Sequence, residues 1–426
     1  MNGGTIHIVG AGISGLSAAV RLVDEGRRVA LYEAARFAGG RCRSYHDRTL
    51  DHRIDNGNHL LLSGNAAAND YLGRIGSSAK LKGPASAIFD FVDVASGERW
   101  QLRPNDGRVP WWLLSAGRRV PGTRLREYLA VLPTLRTRAN ERLRDVMDCS
   151  GPLYERLWRP VLHAGLNHDP ADSSARLAAA MLRETLGAGG KACRPLVAIE
   201  GLSSTFVDSA LAHLASRGAS IHFGHRLGAV EFEAGRAVAL LFGRERRVLA
   251  QDDALVLAVP PWVAQEILPG LVAPDEFRTI LNAHFRVAPG PDQPMLLGIV
   301  NGLTEWVFAY RDHVSITISS ADRLLYEPRE RLAAQIWHEV GTVCGLGSQL
   351  PPWQIVNERR ATFASTPDQD AKRPSARTGW TNVVLAGDWT QTDLPATIEG
   401  AVRSGYRAAS IIMEEHATAC GGIAVR

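Results

Sequence analysis

The most specific chemical signal in the chain is Gly10-Ala11-Gly12-Ile13-Ser14-Gly15. Each glycine has a physical task. Gly10 allows a tight turn out of a strand, Gly12 lets an anionic group approach the backbone, and Gly15 lets a helix pack closely on the strand. A helix N-terminus at this point offers free N–H groups and partial positive charge to a pyrophosphate. Glu33 follows at the end of the next strand. A carboxylate there accepts hydrogen bonds from ribose hydroxyls and disfavours a 2′-phosphate. With Ala34 beside it, this set reads as a dinucleotide site.

Two further motifs narrow the ligand. Gly39-Gly40-Arg41 stands just after the second strand, where a nicotinamide-binding domain has no need of it. Gly387-Asp388, near the other end of the chain, precedes a helix that begins at about Thr397-Ile398-Glu399-Gly400-Ala401. The N-terminus of that helix favours negative charge near it.

Strand, turn, helix and strand must hold these residues in place. Thr5 to Val9 is predicted as a buried parallel strand. Gly12 to Glu25 has helical spacing, with Leu16, Ala19, Val20 and Val23 on one face and Gly26 as the stop. Val29 to Tyr32 closes a βαβ unit. Further on, Ser204 to Arg217 is predicted as a helix capped by Ser204. Ser220–Phe223, Ala229–Phe232 and Ala237–Phe242 are predicted strands, the last two joined by a Glu-Ala-Gly-Arg turn. Asp253–Val259, ended by Pro260-Pro261, and Val383–Ala386 read as further buried strands. Dinucleotide features at both ends and in the middle imply an α/β chain with a discontinuous Rossmann-like, doubly wound cofactor domain. Its expected pieces are 1–75, 200–261 and 376–416. Residues 76–199 and 262–375 would form an inserted α+β substrate domain, and 417–426 a mobile tail.

The chain has 426 residues, enough for two domains, with 45% hydrophobic and 22% charged residues, as in ordinary globular proteins. A net charge of only +4 argues against a nucleic-acid binder. Five cysteines without a CxxC pair give no sign of a disulfide framework or a zinc site, and no metal is expected. They fit a reducing cytoplasm. The N-terminus does not read as a signal peptide, and no apolar run is long enough to span a membrane. Residues 101 to 145 hold ten arginines, no lysine and four acids around Trp111-Trp112-Leu113-Leu114. Such a stretch suits a peripheral contact with an anionic membrane surface, as it suits an ordinary solvated basic face.

The glycine motifs together resemble the flavin amine oxidase and carotenoid desaturase superfamily. That resemblance implies an amine-oxidase-like fold and FAD, with Arg41 near the phosphates and Asp388 at the ribityl and phosphate region. With no cysteine near the C-terminal motif, the FAD is expected to be non-covalent. A longer string, Ile54-Asp55-Asn56-Gly57-Asn58-His59-Leu60-Leu61-Leu62-Ser63-Gly64-Asn65, is similar to the squalene-associated FAD-dependent enzymes, the bacterial hydroxysqualene dehydroxylases. So are Trp158–Asn167, Arg360–Ala364 and Ala386–Ala401, apart from Asp393, where glycine is expected. This resemblance spans nearly the whole chain. It adds Asn56, Gly57, Asn58, Leu227, Val259, Thr397, Ile398 and Ala401 to the implied FAD contacts.

The implied reaction converts hydroxysqualene to squalene with loss of water, in hopanoid synthesis. Protonated departure of an allylic hydroxyl leaves a cation that hydride from reduced flavin quenches. Asp55, His59 and Asp393 are candidate proton donors. Asp55 is equally suited to holding the Asn56–Asn58 turn, and His59 to packing against backbone. His163 and His168 could line the substrate domain or be ordinary surface or helix-end histidines. No second GxGxxG is present, so an external reductant or reductase is expected. Two other functions use the same scaffold: an oxidative isoprenoid desaturase or amine oxidase, and a non-enzymatic prenyl-lipid escort. Glu33, Arg41 and Asp388 speak against the escort. Trp389 and Tyr406 are the only aromatic residues noted for an amine-oxidase cage.

Overall fold

In the computed structural model, which describes residues 4–421 and side chains through Glu415, β1 (Thr5–Val9) lies at the centre of a five-stranded parallel sheet. It pairs on one side with β2 (Arg28–Glu33), which pairs with β3 (Ser220–Phe223). On the other side it pairs with β4 (Ala254–Leu257), which pairs with β5 (Val383–Leu385). The spatial order is β3-β2-β1-β4-β5. Alternate strand residues serve opposite faces. Ile6, Ile8, Val29 and Leu31 pack toward α1 (Ile13–Asp24) and α2 (Ile398–Gly421). Val9, Ala30, Tyr32, Leu255 and Leu257 pack toward a three-stranded antiparallel sheet, residues 229–248, that covers the second face. Each fully buried aliphatic side chain here contributes roughly 1.5–3 kcal/mol.

Local chemistry sets the element ends. Gly26 has φ +72°, and the N–H groups of Gly26 and Arg27 close the last turn of α1 on Val23 and Leu22. The expected Glu-Ala-Gly-Arg hairpin forms, with Ala234 and Gly235 both at positive φ. Strand β4 is shorter than expected at both ends, and at its start the Asp253 carboxylate accepts from the Thr5 and Ala250 amides. The helix expected from Ser204 begins instead at Leu202. It opens with a wide π-type turn over Ser203–Asp208, so Ser204 lies inside the helix and is not its cap. Of the expected tail, 422–426 lie outside the described residues, and α2 continues to Gly421.

A seven-stranded sheet forms the other half, from strands between Phe89 and Leu102, between Phe277 and Ile318, and Trp353–Phe363. All neighbours are antiparallel except Leu296–Val300 beside Phe89–Asp93. One face packs on helix Arg329–Val343 through Leu332, Ile336, Trp337 and Val340. The hairpin of Ser44–Asp47 and His52–Asp55 leads from the parallel sheet to this one. No helix of the described residues is long and apolar enough to cross a membrane.

Candidate active site

The glycine loop closes on the sheet through backbone contacts. Gly10 donates to the Tyr32 carbonyl (2.7 Å) and Gly39 to that of Ala11 (2.8 Å), which joins the first two glycine motifs. Gly10 has φ +105°, and a β-carbon on it would strike the Ala258 carbonyl. A β-carbon on Gly15 would strike the Gly10 carbonyl. Gly12 differs: apart from its own chain neighbours, nothing lies within 4 Å of where its β-carbon would stand. It is also the residue before α1, with no side-chain cap. An open cradle in front of an uncapped helix N-terminus fits a pyrophosphate. Glu33 is fixed beside it, its two oxygens accepting from the Ala11 and Ala35 amides at 2.8 Å each. Leu227 is buried near the end of β3, and no protein acceptor takes its amide among the described residues.

Arg41 and Asp388, far apart in the sequence, form an ion pair in which Arg41 Nη2 donates to both carboxylate oxygens at 2.8 and 2.7 Å. Arg41 also donates to the Ala361 carbonyl. Burial pulls the Arg41 guanidinium toward neutrality, but the Asp388 carboxylate outweighs it and holds the pKa above its ordinary value. The pair is one-sided: 44% of the arginine side chain is exposed against 8% of the aspartate. Its open side is the one a phosphate can reach. The turn at Asp388 is braced from behind by Arg373, which is buried and not singled out by any motif. Arg373 donates to the carbonyls of Asp388 (3.1 Å) and Thr390, to Thr392 Oγ1 (2.7 Å) and to Asp370 (3.2 Å). Ser404 Oγ accepts from the Gly387 amide at 2.8 Å. Thr397 Oγ1 accepts from the Gly400 amide at 3.0 Å and so opens α2. Ile398 and Ala401 are buried in its first turns.

The Asn56–Asn58 turn faces the seven-stranded sheet. Asn56 donates to Glu358 (2.9 Å) and toward the Arg41 carbonyl. Gly57 lies against the Asn282 amide. Asn58 donates to Ser315 (2.8 Å) and Thr317 (3.0 Å), and accepts from the Tyr310 hydroxyl (3.2 Å). These strand residues have no local motif. Their only sequence trace is polar side chains on strands that are otherwise buried.

The three proton-donor candidates do not converge. Asp55 is buried, and its Oδ1 accepts from Ser44 Oγ (2.5 Å) and the Leu202 amide (3.0 Å). Burial raises its pKa. It thus anchors the start of the helix at Leu202. His59 is half-buried and makes no hydrogen bond among the described residues. Desolvation and the nearby Arg41 charge push its pKa down to about 4. Asp393 has φ +61°, which explains why glycine suits this position. Its carboxylate is 83% exposed and paired with Arg176 at 3.0 Å. Elsewhere, His163 Nδ1 lies 3.6 Å from Glu305, and its buried Nε2 has no partner. His168 accepts from Arg278 Nε at 3.0 Å. Both are half-buried rather than surface histidines. Trp389 donates to the Val259 carbonyl (3.0 Å), whereas Tyr406 reaches Asp70 (2.8 Å), so the two do not form an aromatic cage.

An uncapped glycine loop, a carboxylate fixed at the end of β2 and an Arg–Asp pair at the far end of the same sheet define a flavoprotein oxidoreductase built on a Rossmann-like frame. Residues 13–288 and 309–413 match the flavin containing amine oxidoreductases, and the chain belongs to that family. Within the family it groups with the hydroxysqualene dehydroxylases. It is 54% identical over 410 residues to that of Rhodopseudomonas palustris, covering 96% of this chain and 98% of the relative. It is 51% identical, with the same coverage, to that of Sinorhizobium fredii. The fold is that of the solved cyclohexylamine oxidase from Brevibacterium oxydans, with TM-score 0.71, 16% identity, and 98% and 100% of the two chains covered. The protein is an FAD-dependent oxidoreductase.

Proposed function

We propose that the protein reductively removes the allylic hydroxyl of hydroxysqualene to give squalene and water. The observation that carries this reading is 54% identity over 96% of the chain to a hydroxysqualene dehydroxylase, on a complete flavin frame. When bound, reduced FAD supplies the hydride. The substrate carbon gains that hydride and loses its C–O bond, and a proton completes the water. The proposed FAD contacts are Gly10–Gly15, Glu33, Ala34, Gly39–Arg41, Asn56–Asn58, Leu227, Val259, Gly387, Asp388, Thr397, Ile398 and Ala401. Non-covalent binding fits the cysteines: Cys42, the one beside Arg41, is buried, and burial pushes its thiol pKa well up. The proposed division into a discontinuous cofactor domain and an inserted substrate domain follows the membership of the two large sheets.

Of the proton-donor candidates, His59 has the free ring. At neutral pH that ring is uncharged, so as a donor it works only through its small protonated fraction. Asp55 is better read as the anchor of the Leu202 helix, and Asp393 as a surface carboxylate. Electrons come from an external donor or reductase, and the protein works in the cytoplasm. The desaturase and amine-oxidase readings have less support, since Trp389 and Tyr406 point apart.

The substrate is a long hydrocarbon, and the proposal includes how it arrives. Val109, Trp111, Leu114, Leu125, Leu129, Leu132 and Leu135 are each 40–65% exposed. Exposed arginines 103, 108, 118, 124, 126, 136 and 138 lie in the same stretch. Apolar side chains among cations fit the headgroup boundary of an anionic membrane, on the cytoplasmic side.

The test is anaerobic incubation of reduced, FAD-loaded protein with hydroxysqualene, followed by product identification. Squalene is expected at one equivalent per flavin. Unchanged substrate, or a desaturated product, overturns the reading.

A further inference from the structure

Three side chains outside the flavin site converge where the hairpin meets the seven-stranded sheet. His52 begins strand His52–Asp55. Asp312 and His313 end the tight turn before strand Val314–Ile318, where the Tyr310 amide donates to the His313 carbonyl at 3.0 Å. His52 Nε2 lies 3.3 Å from His313 Nδ1 and 3.5 Å from Asp312 Oδ1. His313 Nδ1 lies 3.0 Å from the same oxygen. The three atoms therefore form a nearly equilateral triangle. With neutral rings a single N–H can bridge one edge of the triangle in alternative tautomers, which leaves lone pairs facing each other across another edge. A cation in front of the triangle uses all three lone pairs. Tetrahedral zinc with bonds of about 2.0–2.1 Å requires ligand atoms roughly 3.3 Å apart, which is the mean edge here.

The surroundings are built for a fixed ring geometry. Tyr310 stacks on His313 with centroids 4.4 Å apart and planes 7° apart, and the His52 ring meets His313 at 63°. The two imidazole side chains are 18% and 14% exposed, while Asp312 is 60% exposed, so an ion can arrive from solvent on the carboxylate side. We propose that His52, Asp312 and His313 bind one divalent ion of the zinc class, with water in the fourth position. Two nitrogens and one oxygen select Zn²⁺, Co²⁺ or Ni²⁺ over Mg²⁺ and Ca²⁺. The ion staples the Ser44–Asp55 hairpin to the sheet. Tyr310 stacks on a ligand ring and donates to Asn58, so the staple sits one residue behind the Asn56–Asn58 turn. His52 and Asp312 stand 260 positions apart and leave no spacing motif, and the cysteine count that argued against a zinc site does not bear on them. The site does not depend on the dehydroxylation chemistry.

Untagged, FAD-loaded protein is stripped with EDTA, desalted and dialysed to equilibrium against micromolar Zn²⁺, with Mg²⁺ in a parallel cell. One bound Zn²⁺ per chain and no Mg²⁺ are expected. His52→Ala and His313→Ala each weaken Zn²⁺ binding at least about tenfold, and Asp312→Asn by several-fold, with flavin absorbance retained. Substoichiometric Zn²⁺ on the wild type overturns the proposal. So does wild-type affinity in His313→Ala. If the histidine variants fail to retain FAD, the exposed Asp312→Ala decides, and unchanged affinity there overturns it.

Discussion

The glycine loop and the stretch from Val109 to Leu135 treat their surfaces in opposite ways. At Gly10 and Gly15 a backbone carbonyl stands against the place a β-carbon would take, and Ile6, Ile8, Leu16 and Leu31 behind the loop are fully buried. Between Val109 and Leu135 the backbone runs through two short 3₁₀ turns and a long 3₁₀ segment that starts at Leu125, and tryptophan and leucine side chains stand in water among arginines. The first region shapes an absence for a ligand that enters it. The second offers a surface to something that covers it. Seven exposed large apolar side chains within 27 residues are more than scattered surface exposure accounts for. Substitutions in the first region should therefore damage folding or FAD binding, and those in the second should leave both intact.

The largest effect is expected within the loop. Gly15→Ala puts a methyl group on the Gly10 carbonyl, backbone against backbone, with no side chain able to yield. A loss of about 3 kcal/mol or more of stability is expected, read as a fall in the urea midpoint. Gly12→Ala meets nothing beyond its own chain neighbours, so the apoprotein should keep its midpoint while FAD retention falls at least about tenfold. Equal midpoints for the two variants would erase the distinction between a packing glycine and a ligand glycine.

His59 tests the same crevice through pH. Its folded pKa is pushed down to about 4 from 6.5. A base with a lowered folded pKa gives stability that is present above pH 6.5 and lost as pH falls toward 4, because the unfolded chain takes up the proton first. Between pH 7 and pH 5 the apoprotein should lose roughly 2 kcal/mol at this group, and His59→Gln should remove that part of the slope. If protonated His59 also delivers the substrate proton, kcat/KM rises about tenfold per unit of acidification from pH 8 to 6. A flat profile with wild-type turnover in His59→Gln removes it from the chemistry.

The outward region should behave otherwise. Trp111→Ser with Leu114→Ser exchanges side chains that are each 65% exposed. Stability should change by less than about 0.5 kcal/mol, leaving the urea midpoint nearly unmoved. Flotation with vesicles of anionic lipid should drop sharply, and flotation of wild type should fall with added salt. Equal flotation of the two proteins sinks the membrane reading.

How much of this was legible follows the same divide. Gly10–Gly15, Glu33, Gly39–Arg41 and Gly387–Asp388 stand in the sequence as they do in the fold, because turn, phosphate cradle and helix start are local demands. The Arg41–Asp388 pair was readable only as two separate motifs. The Asn58 network was not readable, because Asn282, Tyr310, Ser315 and Thr317 reach Asn58 through strand pairing across more than 220 residues. Arg373 was missed because most of its contacts are to the carbonyls of Asp388 and Thr390, which carry no sequence signal, and its side-chain partners Asp370 and Thr392 belong to no motif. Ser204 misled because a serine before an apolar run marks a helix start only when the first turn is α. Here that turn is a wide π turn and the helix begins earlier.

Asp393 joins the two regions and gives the smallest effect. By sequence it belongs to the flavin motif, yet by exposure it belongs to the surface, with 83% of its side chain in solvent. Its backbone at φ +61° costs a non-glycine residue on the order of 1 kcal/mol, less for aspartate than for most. The exposed pair with Arg176 returns at most about 1 kcal/mol, and Arg176 keeps its bidentate contact with the buried Asp370 in any case. Asp393→Gly should therefore change stability by less than about 0.5 kcal/mol and leave FAD content and turnover near wild type. A loss of turnover beyond about tenfold with FAD retained would return Asp393 to the chemistry and move the boundary between the two regions inside the C-terminal motif.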